Sequence, residues 1–247
     1  MSAFLRDLTW LEAETMLRPD TVVVLPIGAA SKEHGPHLRL DNDLRLAEHW
    51  AVELASRTEV VVAPPLTYHF YPAFSEYPGS TTLRLETARD LTVDVVRSLA
   101  RHGPRLFYAL NTGVSTVRAL EPTRAVLAED GIVFAYTDVL AAMAPVEREI
   151  GEQEGGTHAD EIETSLMLAI APDRVDMSKA TKDYVPRGGP HLTRDPSGEG
   201  TYSPTGTWGD PTLATRAKGE RVAAAFIEAL VADVEALRRV SSVTSRS

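Results

Sequence analysis

Two segments of this 247-residue chain concentrate the side chains that can do chemistry. The first, Lys32 to Asp43, reads K-E-H-G-P-H-L-R-L-D-N-D and sets two imidazoles and three carboxylates in twelve positions, directly after a valine-rich run. Zinc takes imidazole nitrogen and carboxylate oxygen in a compact shell, and manganese or iron takes the same groups with more water. Gly35 and Pro36 are turn formers that can fold the segment so that His34 and Asp43 converge. The plainer alternative is a solvated loop at a strand end, with its histidines bonded to backbone. The second segment, T-H-A-D-E-I-E-T-S-L-M-L, carries His158 and Glu161 three residues apart, which on a helix face the same way and could serve one metal, or a metal and a base. Glu163, two positions off that direction, would orient another ligand or cap a local network. An exposed, charged first helical turn would give the same pattern. His69, in Y-H-F-Y, falls near a further strand end as a site-lining, a surface or a structural residue.

Composition narrows the chemistry. The chain has no cysteine, which removes thiolate ligands, thiolate nucleophiles and disulfides and leaves imidazole and carboxylate to hold any metal. A formal net charge of -10 argues against a nucleic-acid partner. No apolar run approaches the roughly 20 residues that span a bilayer, so no membrane partner is expected. The opening M-S-A-F-L-R-D-L-T-W lacks the features of a signal peptide, and a cytoplasmic location is expected.

The elements that must position these residues alternate between strand and helix. Thr21 to Ile27 is a strand, Asp43 to Leu54 a helix with apolar residues at helical spacing, and Glu59 to Ala63 a second strand stopped by Pro64 and Pro65. Leu91, Val95 and Leu99 mark another helix stripe, Leu106 to Leu110 a third strand, Pro122 to Ala128 a short helix, and Ile132 to Tyr136 a fourth strand. Helices are expected over His158 to Ile170 and Thr215 to Leu237, with a fraying tail. This rhythm predicts one α/β domain over residues 1–247: a doubly wound, mainly parallel sheet flanked by helices, with an irregular excursion at about 179–207. In such sheets ligands gather on loops beyond the carboxyl ends of the strands, where the segments after Ile27 and Leu110 emerge.

The segment P-I-G-A-A-S-K-E-H-G-P-H-L-R-L-D-N-D resembles the opening motif of the creatininase family, P-x-G-S-x-E-x-H-G-P-H-L-P followed by an aspartate. P-P-L-T-Y with F-S-E-Y-P-G-S, then H-A-D-E-I-E-T-S-L-M-L, then G-T-W-G-D-P-T-L-A-T agree in order, and the resemblance covers roughly residues 20–220. It implies a creatininase-like fold, a homo-oligomer of hexameric type, and a two-metal centre that activates water against a small, often cyclic, amide. By the same resemblance His34 is a metal ligand, Asp43 bridges two metals, His158 assists proton transfer to the leaving nitrogen, and Glu161 supplies a further ligand.

Two departures from the pattern bear on that centre. The family glutamate two residues before the first histidine is here Lys32, with Glu33 adjacent to His34 and a candidate replacement ligand. N-T-G-V-S-T stands where the family has N-G-H-G-G-N, so Gly113 replaces a metal-binding histidine; His37 or Asp41 are candidates to compensate. Lys32 is either a pocket cation, taking the lost metal's electrostatic role or binding a substrate carboxylate, or a solvent-facing loop residue. The expectation is a metal-dependent hydrolase of a small polar amide. One or two divalent ions, zinc first and manganese or iron as alternatives, would be held by His34, Asp43, Glu161 and Glu33, with His158, Glu33 and Lys32 as catalytic groups. The rivals are a metal-assisted lyase or isomerase on the same scaffold, and a non-catalytic metabolite-binding or assembly protein.

Overall fold

The structure is a computed structural model and describes residues 2–186, 188, 189 and 191–244. Its sheet has five parallel strands: β1 (Ala3–Phe4), β2 (Val22–Ile27), β3 (Val61–Val62), β4 (Leu106–Asn111) and β5 (Val133–Tyr136), in the order β1-β3-β2-β4-β5. β2 lies at the centre and pairs along its whole length with β4, Val22 opposite Leu106 and Ile27 opposite Asn111. Every residue of both strands is buried, which is why they read as unbroken apolar runs rather than alternating ones.

Successive side chains point to opposite faces, and each face has its own core. Val22, Val24, Tyr108 and Leu110 pack under α2 (Asn42–Arg57), α6 (Glu161–Ile170) and α7 (Arg216–Thr244), through Trp50, Leu54, Leu166 and Phe226. Val23, Leu25, Phe107 and Ala109 pack under α3 (Leu85–Ala100) and α4 (Val117–Glu129), through Val93, Val96, Leu120 and Leu127. Helices on both faces make the sheet doubly wound, as the strand-helix rhythm requires.

Several local expectations are corrected. The buried stripe of α3 is Ala88, Thr92, Val93, Val96 and Ala100, so Leu91, Val95 and Leu99 lie beside it. Two helices escaped the sequence reading: α1 (Trp10–Met16), closed by a Thr9–Glu12 capping box, and α5 (Val139–Ile150), masked by Pro145. α6 begins at Glu161 and not at His158, because Asp160 adopts an extended conformation and caps the helix by accepting from the Ile162 and Glu163 amides. The excursion at about 179–207, of which residues 187 and 190 lie outside the described residues, contains a two-residue parallel pair, β6 (Leu192–Thr193) with β7 (Thr201–Tyr202). The closing helix continues to Thr244, and the end of the tail, residues 245–247, falls outside the described residues.

Candidate metal centre

The site forms where β2 ends. Gly28 lets the chain turn under the first turn of α2, since a Cβ there would stand 2.3 Å from the Asp43 carbonyl oxygen. Leu44 then donates its amide to Ala29 (3.2 Å), Lys32 donates to the Leu40 carbonyl (3.0 Å), and the Thr112 hydroxyl, just past β4, lies within 3.3 Å of both the Ile27 and Asp43 carbonyls. The loop is thus pinned at both ends, and His34 and Asp43, nine residues apart, meet at 2.9 Å through Nε2 and Oδ1.

The orientation of His34 decides what can occupy this point. Its Nδ1 lies 2.9 Å from the Lys32 carbonyl, which can only accept, so Nδ1 carries a proton and donates it. Nε2 of the neutral ring is then a bare lone pair facing two carboxylates, Asp43 Oδ1 at 2.9 Å and Glu163 Oε1 at 3.5 Å. Lone pairs converge in this way on a cation, with the second ring nitrogen fixed by a carbonyl as metal-binding histidines require. One donor atom each from His34, Asp43 and Glu163 lies within 4.8 Å of the others, and these residues fit one divalent ion. Burial and the Lys32 ammonium pull the pKa of this ring down, but Asp43 and Glu163 outweigh them and the net shift is upward. Burial would raise the Asp43 carboxyl, yet Lys32 and His34 hold it far below the usual carboxylate range. Glu163 is also lowered, by His34 and His158 against the opposing effect of burial.

Beside this cluster lies a second pair. His158 Nε2 stands 3.0 Å from Glu33 Oε2, with the Phe74 ring 4.0 Å from the imidazole between centroids. Glu33 is fixed by the Gly35 amide and by close approach of Gly206, whose φ of +81° and contact with the carboxylate leave no room for a side chain. His158 is not helical; it forms an antiparallel bridge with Trp208, whose amide donates to the His158 carbonyl at 2.9 Å. Ala159, the one described non-glycine residue with positive φ (+49°), turns its amide onto Glu163 Oε2 at 2.8 Å. A left-handed alanine costs about 1–2 kcal/mol, so the surrounding contacts hold this turn against its own preference.

The structure brings His34, Asp43, His158, Glu33 and Lys32 together and does not bring Glu161. Glu161 points the other way, paired with Lys218 and accepting the Glu152 and Gln153 amides at 2.9 and 2.7 Å; Glu163 takes the place expected for it. The expectation assumed a helix through His158, and capping at Asp160 changes the phase. Glu33 is turned to His158 and away from the three-donor cluster. Asp41 is engaged by Arg45 and Arg174 and does not compensate for Gly113. His37 bonds Thr164 at 2.8 Å and is held neutral, its pKa pushed down to about 4 by burial. His69 is buried on Thr92 as a structural residue.

Lys32, which departs from the family pattern, is a pocket cation and not a solvent-facing loop residue. Far from solvent, with 5% of its surface exposed, its ammonium lies 2.7 Å from Asp43 Oδ2 and 4.8 Å above the Phe74 ring. A cavity of about 580 Å³ opens over these groups; Lys32, Asp43, His158 and Glu163 form its polar floor, and Leu46, Leu140 and Met143 belong to its apolar wall. A larger groove, about 1220 Å³, opens at the amino ends of the strands beside Arg57 and Arg238, away from the donor cluster.

The profile of the Creatininase family, described as creatinine amidohydrolase, matches residues 6–234. The chain belongs to the creatininase family. It is 30% identical over 240 residues to creatinine amidohydrolase of Pseudomonas putida, covering 90% of this chain and 92% of that protein. It is 29% identical over 213 residues to the mycofactocin precursor peptide peptidase of Mycolicibacterium smegmatis (strain ATCC 700084 / mc(2)155), covering 83% and 81%. A solved structure described as "Creatininase Mn" superposes with a TM-score of 0.79 at 26% identity, over 97% of this chain and 98% of that one. Creatininase membership, the shared fold and the buried donor cluster together make this chain a metal-dependent hydrolase.

Proposed function

We propose that this creatininase-family protein hydrolyses the C–N bond of a small amide, cyclic amides included, with one divalent ion held by His34, Asp43 and Glu163. What carries the reading is the His34 ring, fixed by the Lys32 carbonyl so that its free lone pair meets two carboxylates, buried Asp43 and half-buried Glu163. One imidazole and two carboxylates suit zinc first, then manganese or iron. When bound, such an ion lowers the pKa of water and draws charge from a carbonyl oxygen.

The chain's own residues supply the rest. His158 lines the cavity next to the cluster, and Glu33 holds its ring, so it can pass to a leaving nitrogen the proton given up by the attacking water. Phe74 and the apolar wall keep bulk water from the reacting groups. The wall gives room for a substituent beyond the amide itself, and the differing substrates named for the two relatives fit a scaffold whose walls set specificity. The working form is taken as a cytoplasmic homo-oligomer of hexameric type. The exposed Trp10 and Leu11 are apolar surface that an assembly would bury.

The test is hydrolysis of a panel of lactams, cyclic ureides and linear amides in ¹⁸O-labelled water. One label per carboxyl product, lost on chelation and restored by zinc or manganese, is expected. Turnover without label would replace this reading with a lyase or isomerase. No turnover with any added metal, together with ligand affinity unchanged in His34→Ala, would replace it with a binding protein.

A further inference from the structure

The two oxygens of Asp43 face different partners. Oδ1 meets His34 in the donor cluster, whereas Oδ2 meets the Lys32 ammonium at 2.7 Å. A buried ammonium needs an opposite charge against it, and Lys32 finds Asp43 on one side and the Phe74 and Tyr71 rings, at 4.8 and 5.8 Å, on others. Among the described residues, His34, Asp43 and Glu163 are the one set of three or more histidine or carboxylate side chains with donor atoms all within 4.8 Å of one another.

Gly113 belongs to the same side. Asn111 clamps its backbone, receiving the Gly113 amide at 3.0 Å and donating to its carbonyl at 2.7 Å. A Cβ at Gly113 would stand 2.5 Å from Thr116 Oγ1 and 3.6 Å from the Tyr71 ring, the ring that also flanks Lys32. A longer side chain therefore has no place there unless buried Thr116 moves. Both departures from the family pattern remove a donor, they lie around one aromatic ring, and the position they leave is filled by a positive charge. Random decay of a site does not install a buried, paired lysine, because such a residue costs several kcal/mol to desolvate.

We propose that Lys32 is a resident cation which takes the place of a second metal ion: the protein binds one divalent ion per chain, and the ammonium, fixed on Asp43 Oδ2 and facing the cavity, holds the negative charge that develops on a substrate oxygen. Charge balance agrees. Glu33, Asp43 and Glu163 contribute three buried or half-buried negative charges, which one ammonium and one divalent ion neutralise, whereas a second divalent ion beside Lys32 would leave an excess of buried positive charge. Since ammonium is held by a covalent stem, chelators cannot remove it.

The inference rests on the metal reading of the cluster but is tested without substrate. Elemental analysis and titration calorimetry with Zn²⁺ and with Mn²⁺ alone should give one ion per folded chain in the wild type. Lys32→Glu, which puts a carboxylate in place of the ammonium, should take up a second ion at the same free metal concentration. Lys32→Met should keep one. A wild-type chain that binds two ions, or a folded Lys32→Glu protein that binds no more than wild type, overturns the proposal. Absence of any bound ion in wild type would instead remove the metal reading itself, and circular dichroism of each variant separates binding from unfolding.

Discussion

Glu33 Oε2 and His158 Nε2 lie 3.0 Å apart although 125 residues separate them in sequence. A carboxylate that fixes a histidine in this way sets the orientation of the ring and which nitrogen carries the proton. Glu33→Gln keeps the size of the side chain and removes the charge, so kcat should fall by about 10- to 100-fold while metal content stays at the wild-type value. His158→Ala should cost about 10²- to 10⁴-fold, again with the metal retained. Loss of metal in Glu33→Gln, measured by elemental analysis, would make Glu33 a ligand and refute the pairing as its role.

Glu161 and Glu163 sit two residues apart on α6 and face opposite tasks. Glu163→Gln weakens the cluster by one carboxylate, and bound metal and rate should fall together. Glu161→Gln leaves metal content unchanged but deprives Lys218 of its buried partner, lowering stability by about 3 kcal/mol, less the share that Glu152, 2.6 Å from the same ammonium, can retain. Urea denaturation and metal analysis on both variants check the assignment. Equal metal loss in the two would bring Glu161 back to the centre.

That pair also marks where sequence reasoning stops. The central strands were legible because burial on both faces leaves unbroken valine and leucine runs, and the loop from Lys32 to Asp43 was legible because its polar residues follow a strand end directly. The phase of α6 was not. Three-residue spacing means a shared face only inside a helix, and Asp160 caps α6 so that His158 lies outside it. The available signal was Asp160 itself: an aspartate followed three residues later by Glu163 is a helix-start pattern, and it puts His158 outside. For Lys32 the sequence leaves a pocket cation and a solvent-facing loop residue both open, and the choice depends on Phe74 and Tyr71, which arrive from a distant segment. α5 was hidden by Pro145.

The most direct pH prediction comes from His69, which stands apart from the donor cluster. The Thr92 hydroxyl donates to the Ala88 carbonyl at 2.9 Å, so at 3.0 Å from His69 Nε2 it acts as acceptor and the ring proton resides on Nε2. Nδ1 is buried without a partner, and a proton added there would be a desolvated charge. Burial accordingly pushes the pKa of His69 down to about 4, below the 6.5 of a free imidazole. Above about pH 6.5 the ring is neutral in both folded and unfolded chains, and its contribution to stability is complete. Between pH 6.5 and 4 the unfolded chain takes up a proton that the folded one refuses, so stability declines as pH falls, by on the order of 3 kcal/mol across the window. His37 slopes the same way, which makes the difference between wild type and His69→Gln the quantity to measure, Gln retaining an N–H for Thr92. Unfolding free energies from urea titrations at pH 4.5 and 7.5 should differ less in His69→Gln than in wild type; identical differences in the two proteins would mean that the His69 proton is not what the folded core excludes.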